Sequence, residues 1–239
     1  KWNALHNKRQ RYHYMYENSD TVVVLTDKQK ISMESLLRIN PSKKIVAVQN
    51  PNLVNVSETD FCKKENLIIF VGRLDYSSKR ADRVLAVWSL ILNELKNWRI
   101  VIVGSGDDEL RLKKMSQDWA LQRIEFVGQT DSAPYYSNAK ILLLTSNYEG
   151  TPMVITEAMA AGVVPIVMNS FKDADLNVKN GYNGLLTPPF DVKEMAKRVL
   201  QLAKNESDLR RMSENAKQTI DGIDNSYRLK IWSEWANDN

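Results

Sequence analysis

The stretch Glu149-Gly150-Thr151-Pro152-Met153-Val154-Ile155-Thr156-Glu157-Ala158-Met159-Ala160-Ala161-Gly162 constrains the fold more than any other part of the chain. It follows Ile141-Leu142-Leu143-Leu144, which reads as a buried parallel strand. Thr151 suits an N-cap and Pro152 a first helical position. From Met153 to Ala161 the side chains are apolar on nearly every face, so the helix is expected to be buried. Glu157 falls in its middle, and a buried carboxylate without a partner costs several kcal/mol. Either a ligand's hydroxyl pair satisfies it, or a nearby Lys or Arg does so in a plain strand-to-helix turn. The free N–H groups and dipole of the helix start favour an anion such as phosphate. A carboxylate one turn before that point and another one turn after suit a diphosphate with hydroxyls at both ends, as in a nucleotide sugar. Both readings of the stretch stay open here.

The rest of the chain repeats the strand-helix alternation. Strands are expected at Leu67–Val71, Arg99–Val103, Ile124–Val127, Val163–Met168 and, shorter, at Leu185-Leu186. Between them lie helices: one placing Val84, Trp88, Ile91, Leu92 and Leu95 on one face, one from Asp107 to about Leu121, and a short one from Pro134 to Asn138. Helices from about Asp191 to Lys204, Glu206 to Ile220 and Asn225 to Ala236 follow. This order predicts an α/β, Rossmann-like, doubly wound parallel sheet. Ligands of such sheets bind beyond the carboxyl ends of the strands, where Arg73, Lys79, Gly104, Thr130 and Glu149 fall. Ahead of this series come a helix from Lys1 to Asn18, strands at Thr21–Leu25 and Ile45–Val48, and a helix from Lys28 to Ile39. Two strands do not make such a sheet, so this opening reads as the tail of another domain, followed by a linker over Asn55–Asn66.

Composition excludes several chemistries. Cys62 is the only cysteine and His6 and His13 the only histidines, leaving little for metal or Ser-His-Asp sites. A net charge of +4 and a pI near 9.0 suit anionic ligands or an anionic membrane surface. Basic and aromatic residues do not interleave along a strand face, which argues against nucleic acid. The first helix mixes Trp2, Tyr12, Tyr14 and Tyr16 with Lys8, Arg9 and Arg11; this is a solvated basic face or a contact with an anionic bilayer. No run reaches the length of a membrane span and no signal peptide opens the sequence, so the reducing cytoplasm is the expected compartment.

Three motifs bear on the chemistry of the site. Gly104-Ser105-Gly106 follows a strand, but Glu109 stands where a dinucleotide fingerprint has its third glycine, and Asp107 and Asp108 would repel a pyrophosphate; it is a tight turn near the ligand. Asp173-Ala174-Asp175 has the look of an Asp-x-Asp metal motif but lacks flanking strands, and no metal site is expected. Arg73 and Lys79 share one loop and could neutralise a leaving diphosphate without a metal.

Gly72-Arg73-Leu74 with Lys79, Gly104-Ser105-Gly106, Glu149-Gly150-Thr151-Pro152 through Gly162, and Asn183-Gly184-Leu185-Leu186 together resemble the retaining glycosyltransferases of family four, from about Leu67 to the end. The resemblance implies the GT-B fold: a donor-binding C-terminal domain over 61–222, a partial N-terminal, acceptor-side domain over 1–60, and a last helix over 223–239, with Trp232 and Trp235, crossing back to that domain. It implies Arg73, Lys79 and Glu149 as catalytic. Arg73 and Lys79 would contact the diphosphate, Glu149 the sugar hydroxyls and Glu157 the ribose. Met153 and Val154 would offer backbone N–H groups, and Thr130 would lie near the base. Gly72, Gly104, Gly150, Thr151 and Pro152 would complete the donor site. The implied activity is retaining transfer from a nucleotide sugar to a glycan or lipid-linked acceptor in surface polysaccharide synthesis, with no cofactor or metal, in the cytoplasm or at the inner membrane face. A sugar phosphorylase or synthase, or a non-catalytic nucleotide-sugar-binding subunit, are the alternatives. Arg80 stands where the family often has glycine, and Ser170–Asp175 replaces its loop with a glycine pair and a glutamate.

Overall fold

The computed structural model of the chain describes residues 2–39, 41–51, 60–222 and 225–237. Two compact units divide it: residues 1–51 with 224–239, and residues 52–223.

The smaller unit begins with α1 (Trp2–Glu17), β1 (Val22–Val24), α2 (Asp27–Leu37) and β2 (Ile45–Ala47). β1 and β2 pair in parallel, Val22 opposite Ile45. Buried Val22, Met33, Leu37 and Ile45 form its core, with Tyr12 and Tyr16 packed on it. Thr26 starts α2 by accepting from Gln29 N at 3.1 Å, and the buried Glu34 accepts from Ser42 N at 2.9 Å.

The larger unit alternates strand and helix throughout: β3 (Leu67–Val71), α3 (Ala81–Ile91), β4 (Arg99–Val103), α4 (Glu109–Asp118), β5 (Ile124–Gly128), α5 (Ala133–Asn138), β6 (Ile141–Leu144), α6 (Met153–Ala160), β7 (Val164–Met168), β8 (Leu185–Thr187), α7 (Val192–Ala203) and α8 (Glu206–Asp221). The strands form one sheet in the order β5-β4-β3-β6-β7-β8, every pair parallel. Side chains alternate between the faces of a strand, and helices cover both. Ile68, Phe70, Ile100 and Ile102 pack with Val84, Leu85 and Trp88 of α3 and with Val199 of α7. Leu67, Ile69, Val101 and Val103 pack on the other side with Tyr136 of α5 and Ala158 of α6. That double cover is why the strands read as unbroken apolar runs. Trp88, fully buried, spends its indole N–H on Gln122 O at 2.9 Å. α9 (Asn225–Asn237) completes the smaller unit, with Arg228 bonded to Asn50 O at 3.4 Å and Trp232 Nε1 to Gln49 O at 3.3 Å. The Trp235 side chain lies outside the described residues.

Two expectations change. The second half of the supposed linker is built into the larger unit; its first residues, 55–59, lie outside the described ones. Phe61 opens a 3-10 turn capped by Asp60 and is buried in the main core. Lys64 is buried, its ammonium 3.0 Å from each of the carbonyls of Tyr136, Ser137 and Ala139 at the end of α5. A polar sequence hides such a role, because the partners are backbone oxygens that helix termini leave open. Burial, with Lys217 and Lys140 nearby, pushes the Lys64 pKa down to about 7; the neutral amine still keeps two donors. Lys64→Met is expected to lower the unfolding free energy by about 2 kcal/mol in urea denaturation, since those carbonyls lose their donor. The second change is α4, which is shorter than expected because Asp108 is its N-cap and spends a carboxylate oxygen on Tyr76 N at 2.7 Å.

Asn183-Gly184 is structural. Asn183 is fully buried and bonds Lys179 N, Asn177 O and the Thr219 hydroxyl at 2.7, 3.0 and 2.9 Å. A Cβ on Gly184 would meet Pro165 O at 2.7 Å.

Candidate functional site

β4 and β5 lie on one side of β3 and β6 on the other, so the order of the sheet reverses between β3 and β6. The loops leaving those two strands lie at that reversal point, the place where doubly wound sheets hold ligands.

The β3–α3 loop is organised by Asp75. Its carboxylate accepts from Ser77 Oγ at 2.8 Å, Ser78 N at 2.6 Å, Ser78 Oγ at 2.7 Å and Arg73 Nε at 2.9 Å. Burial opposes ionisation of Asp75, but the bonds from Ser78, Ser77 and Arg73 outweigh it and hold the carboxyl well below its usual range. The β6–α6 loop is tied to it. Asn147 N donates to Ser78 O at 2.7 Å and its side chain to Ser77 O at 3.0 Å. Arg83 grips Thr145 O and Asn147 Oδ1, both at 2.8 Å. Thr145 Oγ1 donates to Arg80 O at 2.9 Å. Arg80 takes a left-handed backbone, φ +56°, a conformation that glycine adopts without steric cost; here the guanidinium fork on Asp82, at 2.9 and 2.8 Å, accompanies the strain.

These ties bring Lys79 and Glu149 together. Lys79 Nζ lies 2.8 Å from both oxygens of Glu149, and Ser146 Oγ donates to one of them at 2.6 Å. The Glu149 side chain is 9% exposed and that of Lys79 24%, so the pair is partly shielded from water. Arg73 differs: its side chain is 69% exposed and it turns to Asp75. Arg73, Lys79 and Arg80 are therefore each held by a carboxylate.

The start of α6 corrects the expected cap. Pro152 is the N-cap, with φ −71° and ψ 104°, and the helix begins at Met153. The proline ring fixes φ but not ψ, so it can stand just outside the helix. Among the described residues no side chain caps this end, and the Thr151 hydroxyl is buried without a hydrogen-bond partner. The first N–H groups of α6, including those of Met153 and Val154, have no intrahelical partner. Gly150 and Thr151 link this tip to Glu149. One helical turn further, half-buried Glu157 accepts from Tyr136 Oη at 2.8 Å. Burial raises the Glu157 pKa, and the Tyr136 bond opposes that rise. The partner is thus a tyrosine, where the sequence pointed to a ligand, a lysine or an arginine.

On the other side of β3 lies an open cavity of about 450 Å³, lined among others by Gly72, Arg73, Gly104, Ser105 and Thr130. Its floor is a close backbone crossing. Gly104 has φ +129°, and a Cβ there would stand 2.0 Å from Gly72 O; one on Gly106 would stand 2.4 Å from Leu74 O. The glycine pair is a tight turn, as the sequence implied, required by backbone approach. Gly72, Arg73, Gly104 and Thr130 thus share one cavity, Lys79 and Glu149 share an ion pair, and Glu157 sits apart with Tyr136. A larger cavity of about 600 Å³ opens at the opposite, amino ends of β3–β5, where Arg99 pairs with Glu65 at 2.8 Å and Glu125 at 3.6 Å. Asp173 is buried between β7 and β8, and among the described residues no group of three or more His, Cys, Asp or Glu is placed to hold a metal.

Sequence reasoning missed Asp75 as a hub, and Ser146, Asn147, Arg83 and Tyr136 altogether. Only the position of Asn147, three residues before Gly150, hinted at a loop role.

The family model of the group 1 glycosyl transferases matches residues 55–219. An uncharacterised glycosyltransferase of Haemophilus influenzae is 30% identical over 221 residues, 90% of this chain and 60% of that protein. A Campylobacter jejuni transferase that adds N-acetylgalactosamine to a diphosphate-undecaprenol-linked glycan is 28% identical over 220 residues, 91% of this chain and 60% of that protein. The chain spans 60% of the length of both relatives. The pneumococcal O-GlcNAc transferase GtfA, solved with UDP and GlcNAc, superposes with a TM-score of 0.80 at 22% identity, covering 95% of this chain and 47% of that one. The mixed α/β architecture with its six-stranded parallel sheet is that of the GT-B fold.

Proposed function

Because the chain belongs to the group 1 glycosyl transferases, we propose that its larger unit binds a nucleotide-diphosphate sugar and supports retaining transfer of that sugar, in the manner of family four. The observation that carries this is the Lys79–Glu149 pair at the reversal point of the sheet, beside the uncapped tip of α6. A diphosphate arriving there meets an ammonium group, the Arg73 guanidinium and free helix N–H groups. Each unit charge at 4 Å is worth ~4 kcal/mol at an effective dielectric of about 20. As the glycosidic bond breaks, negative charge grows on the diphosphate, and these groups stabilise it with no protein nucleophile and no metal. Lys79 then exchanges Glu149 for phosphate, and Glu149 is released to accept from sugar hydroxyls. Thr130 lies toward the base and Glu157 toward the ribose.

In this reading the acceptor is a glycan or a lipid-linked glycan, as in the Campylobacter relative, and the product feeds surface polysaccharide synthesis. The smaller unit belongs to the acceptor side. Its α1 carries exposed Arg11 and a Tyr14 that is 71% exposed, which suits peripheral contact with the cytoplasmic face of an anionic membrane. Among the described residues no helix is long and apolar enough to cross one. Isothermal titration with UDP, GDP and ADP tests the donor site. One of the three is expected to bind this chain with a Kd in the micromolar to millimolar range, ~4 to 8 kcal/mol. No heat with any of them contradicts the proposal.

A further inference from the structure

We infer that Tyr136 is a positioning residue for the nucleotide's ribose: it fixes one oxygen of the Glu157 carboxylate so that the other faces the ribose diol. The inference rests on the donor-site reading above and adds a residue that the motifs do not contain. Its ring is fully buried in the core on the α5–α6 side of the sheet, packed with Leu67, Ile69, Val103 and Leu142. A tyrosine has two side-chain torsions, and that packing removes both freedoms, so the phenol oxygen is a fixed point. From there it donates to Glu157 Oε2 at 2.8 Å. Among the described residues this is the side-chain hydrogen bond that Glu157 accepts, and it falls on Oε2. The phenol holds its proton: burial and the neighbouring carboxylate both push the Tyr136 pKa up.

A carboxylate that can rotate offers a diol two oxygens in many orientations. One pinned at Oε2 offers Oε1 in a single direction. A ribose hydroxyl donating to Oε1 then gives up less freedom, which is the gain of preorganisation. Burial alone favours the protonated Glu157, which would lose its accepting capacity; the Tyr136 bond favours the carboxylate. The backbone holding Tyr136 is itself secured, since its carbonyl accepts from the buried Lys64 ammonium at 3.0 Å.

The test uses the nucleoside diphosphate that the wild-type chain binds and its 2′,3′-dideoxy analogue, titrated against wild type, Tyr136→Phe, Glu157→Gln and the double variant. Wild type is expected to prefer the ribonucleotide by about tenfold. Tyr136→Phe should weaken the ribonucleotide by most of that factor and leave the dideoxy analogue within about twofold, a selectivity that mere loosening of α5 does not produce. In the Glu157→Gln background the tyrosine change should add little. Equal losses for both sugars, or no loss, overturns the positioning role while leaving the donor site standing. Should Tyr136→Phe fail to fold, Glu157→Gln alone decides: an undiminished ribose preference there overturns the inference. Absence of nucleotide binding by wild type overturns the donor reading and this inference with it.

Discussion

Lys79→Glu is expected to weaken nucleoside diphosphate binding by at least ~100-fold, or ~2.8 kcal/mol. The ammonium it removes is, among the described residues, the cation in direct contact with the Glu149 carboxylate. The replacement adds a second negative charge beside Glu149, which is 9% exposed and also hydrogen-bonded by Ser146. An incoming diphosphate then faces two carboxylates where it met one balanced pair. Lys79→Met separates the causes: it removes attraction without adding repulsion, and about tenfold loss is expected from it. Both variants should keep the fold, because Asp75, Asn147 and Arg83 tie the two loops without using the Lys79 side chain. Circular dichroism and thermal melts check that, and calorimetry reads the affinity. Unchanged affinity in Lys79→Glu removes the diphosphate role.

Gly104→Ala is expected to destabilise the larger unit by more than ~4 kcal/mol, or to prevent its folding. The added carbon would sit 2.0 Å from Gly72 O and 2.9 Å from Gly72 C. Neither atom can yield cheaply. Gly72 N is bonded to Val103 O at 3.0 Å and Gly104 N to Gly128 O at 2.8 Å, so moving the crossing breaks the edge of three adjacent strands. The backbone also stands at φ +129°, where a Cβ is itself strained. Gly128→Ala is the contrast. Its φ is +72°, but nothing lies within 4 Å of the added carbon, so only the ~1 kcal/mol of left-handed strain is expected. Urea denaturation of the two variants separates steric contact from backbone strain; equal small losses would show that the crossing is looser than described.

Much of this was legible in the chain because it depends on patterns of burial. Ile141–Leu144 reads as a buried parallel strand, and Val84, Trp88 and Ile91 as one helix face; all of these residues are buried. Arg73, Lys79, Glu149 and Thr130 fall at carboxyl ends of strands simply because strand and helix alternate. What the sequence hid depends on long-range partners. Nothing local in Tyr135-Tyr136 says which ring turns inward toward a residue 21 positions later. Nothing in Lys63-Lys64 says which ammonium ends under α5, more than 70 positions away. The Lys79–Glu149 contact spans 70 positions, and its geometry needs Asn147 and Arg83, whose own pattern is that of ordinary surface residues. The α6 start was misread for a local reason: Thr-Pro fits both a cap followed by a first turn and an extended entry, and ψ at Pro152 decides between them.

The most direct measurement is a crystal structure of this chain with the bound nucleoside diphosphate. The phosphates are expected at the reversal point between β3 and β6, within ~3.2 Å of Lys79 Nζ and of an N–H at the start of α6, with the Lys79–Glu149 contact opened. Phosphates bound elsewhere, such as against Arg99 and Arg123 at the amino ends of the strands, with that contact intact, would contradict the donor-site reading.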